Sequence, residues 1–224
     1  MGTGGKAAGG RDVGETDTGK MPVLQPFDPE ADFGVRSRNL PHWRQDGATY
    51  FVTFRLGDSL PREKLDSLRA EREEWLRRHP PPRSAALLQR FQVLFSARVE
   101  EHLAAGYGAC WLRQPQVQDL VEKAMRYFHG DRYALGAYVI MPNHVHALAT
   151  PAPGRDLSDI LHSWKSYTAN QINRALNRRG RLWQEETYDH IVRNDEEMAA
   201  CEQYVLANPA QAGLREGQYR LGHA

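Results

Sequence analysis

The most informative ten residues of the chain read Ala137-Tyr138-Val139-Ile140-Met141-Pro142-Asn143-His144-Val145-His146. Runs rich in β-forming residues flank Pro142-Asn143, which predicts antiparallel strands over about residues 133–141 and 144–150, joined by a tight turn. Because side chains alternate between the faces of a strand, His144 and His146 share one face and Val145 points to the other. Their imidazoles can therefore hold one divalent cation, although a merely polar pair on a half-buried strand has the same spacing.

A predicted helix downstream carries Tyr167 and Gln171. Asp156-Leu157-Ser158-Asp159 is similar to a capping box at its start, and an apolar stripe at helical spacing follows. Tyr167 and Gln171 lie four residues apart, so they stack on one flank of that stripe. A histidine pair that holds a metal, together with a tyrosine and an amide one turn later, is typical of a DNA-nicking site. The plainer alternative is an amphipathic boundary tyrosine beside a solvated glutamine.

The other predicted elements indicate an α+β fold. Residues 48–56 predict a strand, and residues 62–78, 85–105 and 115–128 predict helices, with Ser84 as an N-cap and Gly106 and Gly130 as terminators. Strand, helices, hairpin and helix in this order favour helices packed on an antiparallel sheet. We expect a disordered N-terminal tail over residues 1–34, one domain over 35–215 and a short C-terminal tail over 216–224.

Composition excludes several classes of protein. The formal net charge of the 224 residues is +1, so no global basic field marks a nucleic-acid coating protein, and DNA affinity would depend on local patches. Lys165, Arg174, Arg178, Arg179 and Arg181 form one candidate patch around Tyr167, although such a run is often only a solvated face. Neither a membrane span nor a signal peptide is evident, which favours a cytoplasmic protein without a membrane partner.

Blocks of residues in a fixed order extend this interpretation. They are Met141-Pro142-Asn143-His144-Val145-His146, Trp164-Lys165-Ser166-Tyr167-Thr168-Ala169 and Leu182-Trp183-Gln184-Glu185-Glu186, with further blocks at residues 40–43, 50–55, 188–193 and 204–214. In this order they resemble the REP-associated tyrosine transposases, the single-tyrosine branch of the HUH endonuclease superfamily. The resemblance covers about residues 36–214. It implies a ferredoxin-like antiparallel sheet with packed helices, the HUH endonuclease fold, for the domain over residues 35–215.

The resemblance also implies a chemistry. Tyr167 would be the nucleophile that forms a 5′-phosphotyrosine link, and His144, His146 and Gln171 would bind Mg²⁺ or Mn²⁺, with Asn170 as the alternative to Gln171. The partner would be single-stranded or hairpin DNA of the repetitive extragenic palindromic (REP) type, bound by a monomer or homodimer at the nucleoid of a bacterial cell. A catalytically silent protein that only binds hairpins is the main alternative. A metal phosphodiesterase acting on small substrates would leave the tyrosine block unexplained.

Overall fold

The computed structural model describes residues 22–28, 30–31, 34–37 and 41–223. In chain order, the elements of this part of the protein are β1 (Gly34–Ser37), β2 (Pro41–Arg44), β3 (Tyr50–Arg55), α1 (Arg62–Arg78), α2 (Ala85–Ala104), a short 3-10 helix (Trp111–Arg113), α3 (Pro115–Arg126), β4 (Tyr133–Ile140), β5 (His144–Pro151), α4 (Leu157–Ala175), β6 (Tyr188–Ile191), α5 (Asp195–Gln211) and β7 (Arg220–Gly222). None of the helices described is long and apolar enough to cross a membrane.

A five-stranded antiparallel sheet organises these elements. Its strand order is β6-β3-β5-β4-β7, while β1 and β2 pair separately. The first four positions reproduce the ferredoxin-like order, with β7 added beside β4. Pro142 and Asn143 do not belong to either strand of the β4–β5 hairpin, and Met141 N donates to His144 O at 2.9 Å across the turn. The predicted α+β fold with a ferredoxin-like antiparallel sheet is confirmed.

Local sequence signals set the helix boundaries. Ser84 Oγ accepts a hydrogen bond from Leu87 N, and Asp156 Oδ1 accepts one from Ser158 N, so both residues cap helices as predicted. Gly106 follows α2 with φ +69°, a left-handed conformation that glycine adopts without the strain of a Cβ atom. The structure therefore agrees with the helix ends read from these residues.

The two faces of the sheet are covered by different helices. On one face, α3 and α4 pack on side chains that include Val52, Phe54, Val145 and Ala147. On the other face, α5 packs on Phe51, Val139 and Leu148. Strand alternation places His144 and His146 on this second face, which we call the histidine face. The C-terminal end of α2 also reaches it, because Leu103 O accepts a hydrogen bond from Asn143 Nδ2 at 3.3 Å.

Parts of both predicted tails contact the sheet in the described part of the chain. Residues 22–28 lie against the sheet: Phe27 N donates to Val192 O at 2.6 Å, and Thr49 N donates to Gln25 O at 2.8 Å. The disorder predicted for residues 1–34 therefore does not extend over 22–28, and the first 21 residues lie outside the described part. At the other end, β7 pairs with β4, so residues 220–222 belong to the sheet and not to a tail.

Candidate functional site

The two histidines of β5 are held rigidly on the histidine face. Their exposed fractions are 1% for His144 and 0% for His146. The ring of His146 is stacked on Phe51 with centroids 5.4 Å apart, and Tyr204 of α5 contacts it edge-on, also at 5.4 Å. His146 Nδ1 is 2.8 Å from Thr53 Oγ1 on the neighbouring strand. This surrounding packing fixes which way the Nε2 edge of His146 points.

Asn143 determines the tautomer of His144. Its Nδ2 donates hydrogen bonds to Leu103 O at 3.3 Å and to Tyr107 O at 3.2 Å, and both of these groups can only accept. The amide oxygen Oδ1 must then face His144 Nδ1, from which it lies 2.7 Å away. Because an amide oxygen is an acceptor, His144 Nδ1 carries the hydrogen and Nε2 presents a lone pair.

A carboxylate from α2 meets these nitrogens. Within the described residues, neither His144 Nε2 nor His146 Nε2 has a hydrogen-bond partner, although both atoms are buried. Glu100 Oε2 lies 3.2 Å from His146 Nε2. Ligand atoms of Glu100, His144 and His146 all lie within 4.8 Å of one another. Two buried imidazole nitrogens that converge on a carboxylate oxygen fit a divalent cation, and we call these three residues the metal centre.

Electrostatics favour the ligating forms of His144 and Glu100. Burial lowers the pKa of His144 to about 3, so its imidazole is neutral near pH 7. Burial opposes ionisation of Glu100, yet the adjacent His146 and the Tyr204 hydroxyl outweigh it and lower the pKa of this carboxyl to about 2. Tyr204 Oη donates to Glu100 Oε2 at 3.0 Å. Burial raises the pKa of Tyr204, with a further contribution from Glu100, so Tyr204 remains a hydrogen-bond donor.

Glu100 and its partner Tyr204 were missed as site residues by sequence reasoning. Glu100 belongs to α2 and has no local motif around it. Only the packing of α2 on the histidine face shows the connection. Tyr204 lies in one of the blocks that carry the family resemblance, and that block was the available signal for it.

Tyr167 and Gln171 lie on a helix that covers the opposite face. The helix α4 packs through Trp164, which contacts Phe54, and through Ile172. Phe54 shares the face of Val145, not that of His144 and His146. Tyr167 is 52% exposed, and Gln171 is partly exposed. The structure thus brings the two predicted histidine ligands together, but it does not place the predicted nucleophile or Gln171 on the histidine face.

The predicted basic patch is divided among different environments. Lys165 Nζ donates to Glu185 O at 2.7 Å and to Thr187 Oγ1 at 3.0 Å. Arg178 lies over the ring of Trp111, with Cζ 5.0 Å from the centroid, and also donates to Asn173 Oδ1. The remaining members, Arg174, Arg179 and Arg181, are exposed. Arg181 forms an ion pair with Glu185. The proposed DNA contacts of this patch remain predictions.

Other residues of the resemblance blocks have structural partners. Asp189 accepts a hydrogen bond from Arg44 at 2.7 Å, and His190 Nε2 lies 2.7 Å from Glu197 Oε1. Tyr50 and Phe51 are buried in the core, while the side chain of residue 43 lies outside those described. Burial raises the pKa of Tyr188 to about 12, which disfavours its phenolate.

Comparisons with known proteins match part of the chain to a family model. Residues 107–208 match the family model described as transposase IS200 like. No curated protein sequence matches the chain. Matching solved structures include a REP-associated tyrosine transposase bound to a REP hairpin, with 16% identity and a TM-score of 0.45 over 80% of this chain and 77% of that one. Only the sequence match bears on the family. The segment that matches this family model, residues 107–208, includes His144, His146 and Tyr167.

Proposed function

We propose that the protein is a metal-dependent endonuclease and strand transferase that cleaves single-stranded DNA at REP-type hairpins through a 5′-phosphotyrosine intermediate. The observation that carries the proposal is the convergence of the buried Nε2 atoms of His144 and His146 on the Glu100 carboxylate, with both histidines inside the segment that matches the IS200-like model. His144 Nε2 has no hydrogen-bond partner among the described residues, whereas a purely structural buried histidine would be expected to have one.

The proposed reaction conserves the energy of the phosphodiester bond. A divalent cation such as Mg²⁺ or Mn²⁺ at the metal centre supplies Lewis-acid polarisation of a phosphate oxygen. Tyr167 Oη forms a bond to phosphorus as its proton leaves, the bond from phosphorus to O3′ breaks, and the 3′ oxygen departs as a hydroxyl after taking up a proton. Attack by a 3′-hydroxyl on the phosphotyrosine reverses these steps and joins strands.

The position of α4 adds a requirement to this proposal. Tyr167 must reach a phosphate at the histidine face, either by displacement of α4 or from a second copy of the chain. Gln171 remains a proposed ligand that would arrive with Tyr167, whereas Glu100 is the carboxylate already beside the histidines. Mixing His144→Ala and Tyr167→Phe proteins separates the two routes. Cleavage by the mixture, with neither variant active alone, requires a tyrosine supplied by the second copy.

Covalent trapping tests the function directly. A hairpin oligonucleotide labelled at its 3′ end should become attached to the protein in Mn²⁺, and the adduct should survive a denaturing gel. Tyr167→Phe should abolish the adduct, because only the phenolic oxygen is lost, while hairpin binding persists. Tyr127→Phe is the matched control, since Tyr127 is another exposed tyrosine, at 76%. An adduct formed equally by Tyr167→Phe, or by the parent in EDTA, would contradict the proposal.

A second candidate is a hairpin-binding protein without catalysis. The observation that favours it is the closure of the histidine face, where Glu100 of α2 and Tyr204 of α5 cover nitrogens that are already buried. Such a protein would bind hairpin DNA equally in EDTA and Mn²⁺ and would form no adduct in either. The trapping experiment therefore distinguishes the two candidates.

A further inference from the structure

A second charged group adjoins the metal centre at the end of β3. Arg55 is the last residue of this strand and lies directly opposite His144 on β5. It shares the face of Thr53, the hydrogen-bond partner of His146. Side chains directly opposite in an antiparallel pair have Cβ atoms about 5 Å apart. The side chain of Arg55 therefore starts next to His144, on the histidine face.

Arg55 and Lys165 both have neutral partners. Arg55 Nη1 donates to Ser59 Oγ at 3.0 Å and to Leu56 O at 3.5 Å, and Lys165 donates to a backbone carbonyl and a hydroxyl. Among the residues described, no carboxylate lies within ion-pair distance of either cation. The segment after α4 contacts both residues. Gln184 N donates a hydrogen bond to Arg55 O, and the backbone oxygen of the next residue, Glu185, accepts one from Lys165 Nζ.

Burial outweighs the nearby carboxylates in the electrostatic environment of these two cations. Burial lowers the pKa of Arg55 to about 10 and that of Lys165 to about 8. The positive charges of Arg181 and Arg55 also lower the pKa of Lys165, while Glu185 opposes this shift. The nearby carboxylates are those of Glu185 and Glu186, which are exposed, and Glu185 is paired with Arg181 at 3.3 Å. A half-buried cation without a counterion is unfavourable, and a phosphate group would relieve that cost.

We propose that Arg55, supported by Lys165, binds a backbone phosphate of the DNA strand next to the phosphate held at the metal centre. The strand would then run from the histidines across the end of β3 towards residues 184–187. Arginine suits this position because its planar guanidinium presents several donors to phosphate oxygens. The inference rests on the proposed function, since it takes single-stranded DNA as the ligand.

The test measures DNA binding without metal or catalysis. A short single-stranded oligodeoxynucleotide is titrated in EDTA over a range of salt concentrations. Arg55→Gln should weaken binding about tenfold, the loss typical of a charged hydrogen-bonding group. It should also reduce the log–log salt slope by about 0.7, the value for one phosphate contact to a single strand. Arg155→Gln is the matched control, because exposed Arg155 lies beyond the opposite end of β5 and should leave both quantities unchanged.

Two further variants keep the inference open to contradiction if Arg55→Gln folds poorly. Arg55→Lys retains the charge, so it should keep the salt slope while losing part of the affinity. Glu186→Gln removes a carboxylate that competes for Arg55, so it should tighten binding. Equal affinity and slope for folded Arg55→Gln and Arg155→Gln, or weaker binding by Glu186→Gln, would overturn the inference. Covalent trapping by the unaltered protein in Mn²⁺ reports separately on the proposed function.

Discussion

Replacing Glu100 with glutamine tests whether this residue, which the sequence did not predict as a ligand, contributes to metal binding. The substitution preserves the shape of the side chain, and the amide oxygen can still accept the hydrogen bond from Tyr204. It removes the negative charge that lies 3.2 Å from His146 Nε2. Because the replacement is nearly isosteric, we expect the metal-free protein to lose only about 1 kcal/mol of unfolding free energy, the net value of one hydrogen bond.

The effect on metal affinity should be much larger. At an effective dielectric of about 20, a carboxylate and a divalent cation about 4 Å apart attract each other by roughly 8 kcal/mol before desolvation is subtracted. Part of the desolvation of Glu100 is already imposed by the fold, since burial opposes its ionisation even without metal. We therefore expect at least about 2.7 kcal/mol to remain, which corresponds to a dissociation constant about 100-fold higher.

Titration with Mn²⁺ alone, followed by calorimetry or by the paramagnetic resonance of free Mn²⁺, measures this constant. Glu101→Gln is the control, because Glu101 is the next residue of α2 and its side chain is exposed. The control should bind Mn²⁺ like the parent. An unchanged dissociation constant for Glu100→Gln, with the protein shown to be folded by its unfolding curve, would refute the assignment of Glu100 as a ligand.

Other predictions follow from the same contacts. His144→Ala should abolish cleavage while hairpin binding in EDTA persists, and equal cleavage with and without metal would contradict this. Gln171→Ala should raise the Mn²⁺ concentration for half-maximal cleavage only if this amide reaches the metal; an unchanged titration would leave Glu100 as the third ligand. Arg178→Gln should cost about 0.5–1 kcal/mol of unfolding free energy through its lost contact with Trp111. Burial lowers the pKa of Lys165 to about 8, so DNA affinity in EDTA should fall as the pH rises through that value. Lys165→Arg stays charged and should flatten that profile.

Local structure was predictable because its signals lie within a few residues of one another. The bounds of α1 follow from its apolar spacing and the prolines after it, and Ser84 and Asp156 cap α2 and α4 as their side chains predict. The hairpin and the shared face of His144 and His146 follow from strand alternation. These features need no knowledge of distant contacts.

The missing parts of the site depend on contacts between distant segments. No spacing relates Glu100 to the histidines, and only the path of the chain between β3 and α3 brings α2 onto their face. In the same way, the apolar stripe of α4 predicts that the helix packs on a sheet but not which of its two faces it covers. Tyr167 and His146 were therefore expected together from the resemblance, whereas in the structure α4 packs on the face opposite His146.

That separation limits how cleavage can proceed. Within α4 the buried apolar side chains are Leu157, Ile160, Leu161, Trp164 and Ile172. Exposing them costs roughly 10 kcal/mol at about 2 kcal/mol each, which is comparable to the whole stability of a typical domain. DNA can shift the position of α4 only by binding the displaced form more tightly by that amount. A second copy can instead present its exposed Tyr167 with α4 left in place. We therefore expect the mixture of His144→Ala and Tyr167→Phe proteins to cleave, because one copy then supplies the metal centre and the other the nucleophile.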